Sequence, residues 1–210
     1  MLNRLPDQCK VSIITNLSYD ILSLPCLPKL LDRPRQNTLW NISLENIGPQ
    51  FEYVRTGAKW DQVKTNLQYL TKHWPEITSI NFVYSMFSAF DVVETIKELH
   101  TLGVKKINFF PIKLQPNMDV FNMPSEIRLI AADNLDAAIK WHTENLHLDD
   151  QDLYPLQGAD TMLSELRQST KPSTITLDNF MATIKWYNQY HSSQFEHLWP
   201  NVIDLVKKYL

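Results

Sequence analysis

Glycine is scarce in this chain, with 4 among 210 residues. No stretch can therefore form a glycine-rich loop of the kind that cradles phosphate. Cysteine is scarcer still. The only two, Cys9 and Cys26, fit no zinc or iron–sulfur spacing, and free, partly buried thiols are the expectation. Neither charge sign dominates: 20 Lys and Arg stand against 23 Asp and Glu, for a net charge of −3. There is no basic stripe for nucleic acid. No apolar run approaches the roughly 20 residues of a membrane span, and the first ten residues lack the apolar centre of a secretion signal. A cytoplasmic protein is the expectation. The GxSxG and HExxH motifs are missing, and no carboxylate pair has a clear spacing. The six histidines are scattered. His142 and His147 lie five apart, which does not place both on one helical face.

What the chain does have is a core. Hydrophobic residues make up 44% and aromatics 11%, enough to exclude disorder. Val11 to Thr15 is a β-branched run that reads as a strand, with Asn16 at its end. Asp20 to Leu31 reads as a short or broken, proline-interrupted helix. Leu39 to Leu44 alternates apolar Trp40, Ile42 and Leu44 with Asn41 and Ser43, and predicts a second strand. A long polar loop follows, carrying Glu45, Gly48, Pro49 and Arg55, then a helix from about Lys59 to His73. A third strand is expected over 77–84. Next comes a helix over 92–102, capped by Ser88 or Asp91 and ended by Gly103, then a fourth strand over 106–111. Strands alternating with helices at this spacing predict parallel β/α units, with the strand ends near Asn16, Ser43, Tyr84 and Phe110 on one edge.

After Pro111 the pattern changes. An irregular loop leads into a helix over 124–145, then an acidic, polar connector over 146–160, a short helix over 160–167 and a loop over 169–173. A broken helical block, capped by Thr176 or Asp178, runs to Leu210. Its aromatics, from Phe180 to Trp199, recur at helical spacing and read as packing. The fold class is thus α/β: a partial (β/α) barrel of about four parallel units over 1–123, followed by a mainly helical C-terminal region over 124–210. Four units are too few to close a barrel, and an open sheet leaves two edges to cover.

Ligands in such folds bind where parallel strands end, so Ser43, Glu45 and Arg55 are the first candidates. A hydroxyl at a strand end can bond a ribose or a carboxylate, and an arginine on the next loop can hold a carboxylate with both arms. Equally, Arg55 can simply pair with Glu45 or Glu52 at the surface.

The order of short motifs resembles a known family. TNLS at 15–18, NISLE at 41–45, EYVRTGAKWDQVKTNLQYL at 52–70 and INFFPIKLQPNMDVFNMP at 107–124 are similar to radical SAM enzymes, and in particular to twitch-domain radical SAM proteins of phages and bacteria. The resemblance implies that the four strands are the third to sixth of a partial (β/α)6 barrel, half of a radical SAM core. It implies S-adenosylmethionine as cofactor, with Asn16, Ser43, Glu45 and Arg55 lining its site, Arg55 on the methionine carboxylate, and Phe82, Tyr84 and Phe110 on the adenine side. The family's 4Fe–4S cluster is held by a CxxxCxxC loop that this chain does not contain. The resemblance therefore implies a missing N-terminal half, or a partner chain, that carries it, and a chain that is inactive alone. In the closing segment, where the family shows an Asp and an Arg, this chain has Asn188 and Tyr190 or His191. A non-catalytic remnant serving as an interaction module is the alternative reading, and an unrelated small α/β enzyme is a third.

Overall fold

The computed structural model describes residues 5–112, 115–145, 154–168 and 177–208. The loop read over 169–173, Thr176 and His147 lie outside them. Four strands form one sheet, β1 (Val11–Thr15), β2 (Thr38–Leu44), β3 (Thr78–Tyr84) and β4 (Lys106–Pro111), all parallel and ordered β1-β2-β3-β4. The helices in chain order are α1 (Leu27–Leu31), α2 (Gly48–Val54), α3 (Trp60–His73), α4 (Val92–Thr101), α5 (Ser125–Asn145), α6 (Ala159–Gln168), α7 (Leu177–Asn188), α8 (Phe195–Leu198) and α9 (Pro200–Lys207). The β/α architecture read from the strand and helix periodicities is present.

The alternation along each strand sorts side chains between two unlike faces. Ile42, Ile80 and Ile107 share one cross-strand row, and Leu44, Phe82 and Phe109 the next. All six are buried in the helix-covered core. The other face carries Ser12, Ile14, Leu39, Asn41, Ser43, Ser79, Asn81, Val83, Lys106, Asn108 and Phe110. There Ile14 is 73% exposed and Phe110 49%. A parallel sheet buried on both sides would read as continuous apolar runs; these strands do not, and among the described residues helices cover only one side. Hydrogen bonds link the lower part of the polar face: Asn41 Nδ2 donates to Ser12 Oγ (2.9 Å), and Ser79 Oγ donates to Asn41 Oδ1 (2.8 Å).

One buried core runs from Leu17 to Val206 and includes residues from both the β/α part and the C-terminal helices. Asn66 is its most informative polar member. On α3 it shares the buried face with Val63, Leu67 and Leu70. Its amide donates to the carbonyls of Leu17 and Tyr19 and accepts from the Ile21 N–H. These bonds hold the chain where it leaves β1, at the point where Leu17 takes a positive φ of 54°, rare for a non-glycine residue.

Two expectations are corrected. The long polar loop after β2 contains a helix, α2. Pro49 presets the first-turn φ, and the buried Phe51 and Tyr53 anchor it to the core. The connector before α6 is more than a link, because residues 154–157 lie along the outer edge of β4. Phe109 N–H donates to Gln157 O (2.8 Å), and Gln157 N–H donates to Ile107 O (3.1 Å). Gly158 ends this strap with φ +86°, where a Cβ would meet the Phe109 carbonyl oxygen at 2.9 Å. The strap covers an edge that would otherwise offer unpaired backbone. Among the described residues the outer edge of β1 has no such cover.

A histidine pair pins the strap. His142, buried on α5, sits 3.1 Å through Nε2 from Tyr154 O and 2.7 Å through Nδ1 from His100 Nε2 on α4. Donation from His142 Nε2–H to the carbonyl leaves Nδ1 to accept from His100. Burial, and then the neighbouring His142, push His100 down to about 4, and burial lowers His142. The folded state therefore favours the neutral rings. Their stabilisation is complete above the ordinary histidine range near 6.5 and is lost as pH falls toward 4. Asp91, raised by burial to about 6, has the opposite sign over this window: its carboxyl favours folding more as it protonates. The two are separated by comparing variants. Thermal melts from pH 7 to 4 are expected to fall more steeply for the wild type than for His100→Gln, and parallel curves would contradict this.

Candidate functional site

The carboxyl ends of the four parallel strands lie on one edge, and polar and aromatic side chains gather there. Glu45 follows β2 directly. Arg55 sits at the C-cap of α2, so the short helix carries it back over the strand end. The two meet with both arms: Arg55 Nε donates to Glu45 Oε2 at 2.7 Å, and Nη2 to Oε1 at 2.5 Å. Their side chains are 22% and 11% exposed, so this is a largely dry ion pair. Asn46, fully buried, donates to Phe87 O (2.7 Å) and ties the exit of β2 to that of β3.

The C-terminal helices form a wall beside this edge. Phe87, Tyr53, Phe180, Phe195 and Trp199 pack as one aromatic cluster, with centroid separations between 4.8 and 6.2 Å. Tyr187 on α7 joins it at 5.4 Å from Phe87. Burial raises its phenol, and the Glu45 charge raises it further while Arg55 lowers it. Tyr187 also lines an open cleft of about 720 Å³ between α7 and the turn at Pro116–Met118. The Asn117 amide and the Thr183 hydroxyl hydrogen-bond across that cleft.

The candidate residues divide. Glu45 and Arg55 are brought together. Ser43 lies in register with Asn81, and Asn81 with Asn108, on the open face. Asn16 follows β1, whose last residue, Thr15, pairs with Ile42, so it reaches the same edge. Its side chain is turned to local use, since Oδ1 accepts from Ser18 N–H (3.1 Å) and Ser18 Oγ (2.8 Å). Tyr84 does not join them. It is fully buried on the helix side, its hydroxyl donates to Ala131 O at 3.1 Å, and burial raises its phenol. Phe82 shares that side, so only Phe110 of the three aromatics faces the open surface.

Other side chains at this end have structural work. Asn188 accepts from the Tyr53 hydroxyl (2.8 Å) and the Phe195 N–H (3.0 Å) and donates to Glu196 (3.2 Å). His191 stacks near Tyr53 and lies 3.0 Å from Thr56 Oγ1, and burial lowers it. Neither Ser88 nor Asp91 caps α4 in the expected way. Ser88 shapes the preceding turn, and the Asp91 carboxylate accepts from Trp199 Nε1–H in a second cleft of about 470 Å³. No set of three metal-ligating side chains occurs among the described residues, and no helix there is long and apolar enough to cross a membrane.

Tyr187 and the C-terminal wall were not legible as site-forming. Their helical spacing fits packing, and only the exposure of Trp186 (53%) and Tyr190 (59%) separates them from core aromatics. No family model, no curated protein and no solved structure matches the chain.

Proposed function

We propose that this chain is a portion of a radical SAM enzyme: the four strands that would be the third to sixth of the barrel, together with the helical wall beside them. One observation carries the reading. The strands follow one another across the sheet without reversal, helices among the described residues cover one side, and the other side is mostly polar, with Ile14 and Phe110 exposed on it. A doubly wound sheet reverses its strand order and is covered on both faces. A segment of a β/α barrel has consecutive strands, an outer helical layer and an inward face that needs something opposite it.

The residues present do not fit the iron–sulfur cluster. Cys9 and Cys26 are the chain's only cysteines, and thiolate ligation needs more. They also offer no open clamp for the methionine carboxylate, since Arg55 already commits two nitrogens to Glu45. In this reading the radical chemistry belongs to a cluster on another segment or partner chain. This chain contributes the strand-end ion pair, the Ser43–Asn81–Asn108 row and the wall. Anaerobic reconstitution of residues 1–210 with iron and sulfide is the test. Neither stoichiometric iron nor 5′-deoxyadenosine from S-adenosylmethionine is expected, and either would overturn this division of labour.

A specific feature favours the interaction-module reading as second choice: among the described residues β1 is an uncovered edge, with Ile14 exposed on it. A partner pairing with β1 would slow amide exchange at Ser12 and Ile14. Exchange there at the rate of loop amides in the natural complex would count against it.

A further inference from the structure

The cleft beside α7 has a chemistry that the proposed function does not use. Asn179, Ala182, Thr183 and Trp186 recur at helical spacing and form one face of α7, while Leu177, Phe180 and Ile184 bury the other. The facing wall is the turn bearing Gln115, Pro116, Asn117 and Met118. None of the described residues that line the cleft, Tyr187 included, carries a charge.

The indole of Trp186 is a prepared surface. Tyr187 meets it edge-on at 5.1 Å and 83°, and Tyr190 braces it at 5.0 Å. The two neighbours fix its tilt, and the ring is still 53% exposed. A large apolar ring held in place and left in water suits a partner with one flat apolar face. Gln115 and Asn179 each bring a carbonyl acceptor and an amide donor, and Asn117, whose amide donates to Thr183, adds its carbonyl. Vicinal hydroxyls offer the same double character, and the axial hydrogens of a pyranose supply the flat face. At about 720 Å³ the cleft is in the range of small-molecule sites, roughly 300–1,000 Å³. Among the described residues the lining holds no lysine or arginine, the cations that phosphorylated or nucleotide ligands recruit. A single braced indole among three amides also differs from the parallel aromatic ridges that seat proline-rich peptides.

We infer that this cleft binds an uncharged saccharide of one or two rings, stacked on Trp186 and hydrogen-bonded by Asn117, Asn179 and Gln115. The inference is independent of any radical chemistry. Its test is saturation-transfer NMR on the 210-residue chain with maltose, cellobiose and N,N′-diacetylchitobiose as probes. Glucose 6-phosphate, AMP and a proline-rich decapeptide serve as comparisons. At least one neutral disaccharide is expected to receive transfer. Trp186→Ala and Asn179→Ala are each expected to weaken it about tenfold, as loss of a central contact does. Tyr19→Ala, a similarly exposed ring elsewhere, should leave it unchanged. Trp186 is exposed, so its removal should not shift the thermal melt, and a shift would show that the ring is structural and overturn the assignment. The inference also fails if no neutral sugar responds, if the signal survives Trp186→Ala, or if a phosphorylated compound or the peptide binds better.

Discussion

Glu45→Gln is expected to lower the stability of the protein by about 3 kcal/mol, because it leaves the Arg55 guanidinium partly buried without its counter-charge. The ion pair is bidentate, with arms of 2.7 and 2.5 Å and little exposure on either side. This sets it apart from the chain's solvent-facing pairs, such as Arg35–Glu76, whose worth is at most about 1 kcal/mol. The double variant Glu45→Leu with Arg55→Met should lose much less than Glu45→Gln alone, since it removes both charges and supplies apolar volume. Urea melts of the two variants check this. Equal losses would mean that the pair is not coupled, and that the strand end is held by something else.

Phe87→Ala is expected to cost about 4 kcal/mol, the usual scale for emptying a fully buried aromatic position. Phe87 follows β3, yet its ring touches Phe180 and Tyr187 from α7, Phe195 from α8, Trp199 between α8 and α9, and Tyr53 from α2. The loss should fall on the docking of α7 to α9. Near-UV circular dichroism of the aromatic cluster should collapse, while far-UV signal from the sheet and α3 to α5 is largely kept. Loss of both signals together would mean that the C-terminal helices and the sheet form one cooperative unit from which no part can be peeled away. A loss under about 1 kcal/mol would contradict the central place given to Phe87.

Much of this fold was legible because its local signals agree with its tertiary structure. The period-two alternation of β2 and the β-branched run of β1 gave strands at the right places. Gly103, with φ of 80° at the end of α4, marked a helix stop. What escaped the sequence reading had no local signal or a misleading one. Asn66 looks like an ordinary polar residue on a helix, and only its place on the Val63–Leu70 face hints that it is buried. Helix α2 hides in a segment that reads as polar, although Pro49, Phe51 and Tyr53 supply a start and an anchor. The strap at 154–157 has neither period.

The candidate site was legible in part. Glu45 and Arg55 stand together, but as the ion pair that the plain structural reading of Arg55 expects, not as an open carboxylate clamp. Tyr84 and Phe110 were grouped because both lie near strand ends, but strand position does not fix the face. Tyr84 points with Phe82 and Leu44 into the helices, while Phe110 follows the inward Phe109 and so points away. Counting parity from the buried Ile107 would have separated them. The Trp186 cleft could not be read at all, since it needs α7 to fold back beside the loop after β4.

The central claim, a barrel portion whose cluster is held elsewhere, is tested most directly by the iron content and intact mass of the protein isolated anaerobically from its natural source. The account predicts a 4Fe–4S signature carried either on a polypeptide well above 24.6 kDa or on a co-purifying chain with three closely spaced cysteines. A natural protein of 24.6 kDa that contains no iron and brings no cysteine-bearing partner would contradict it.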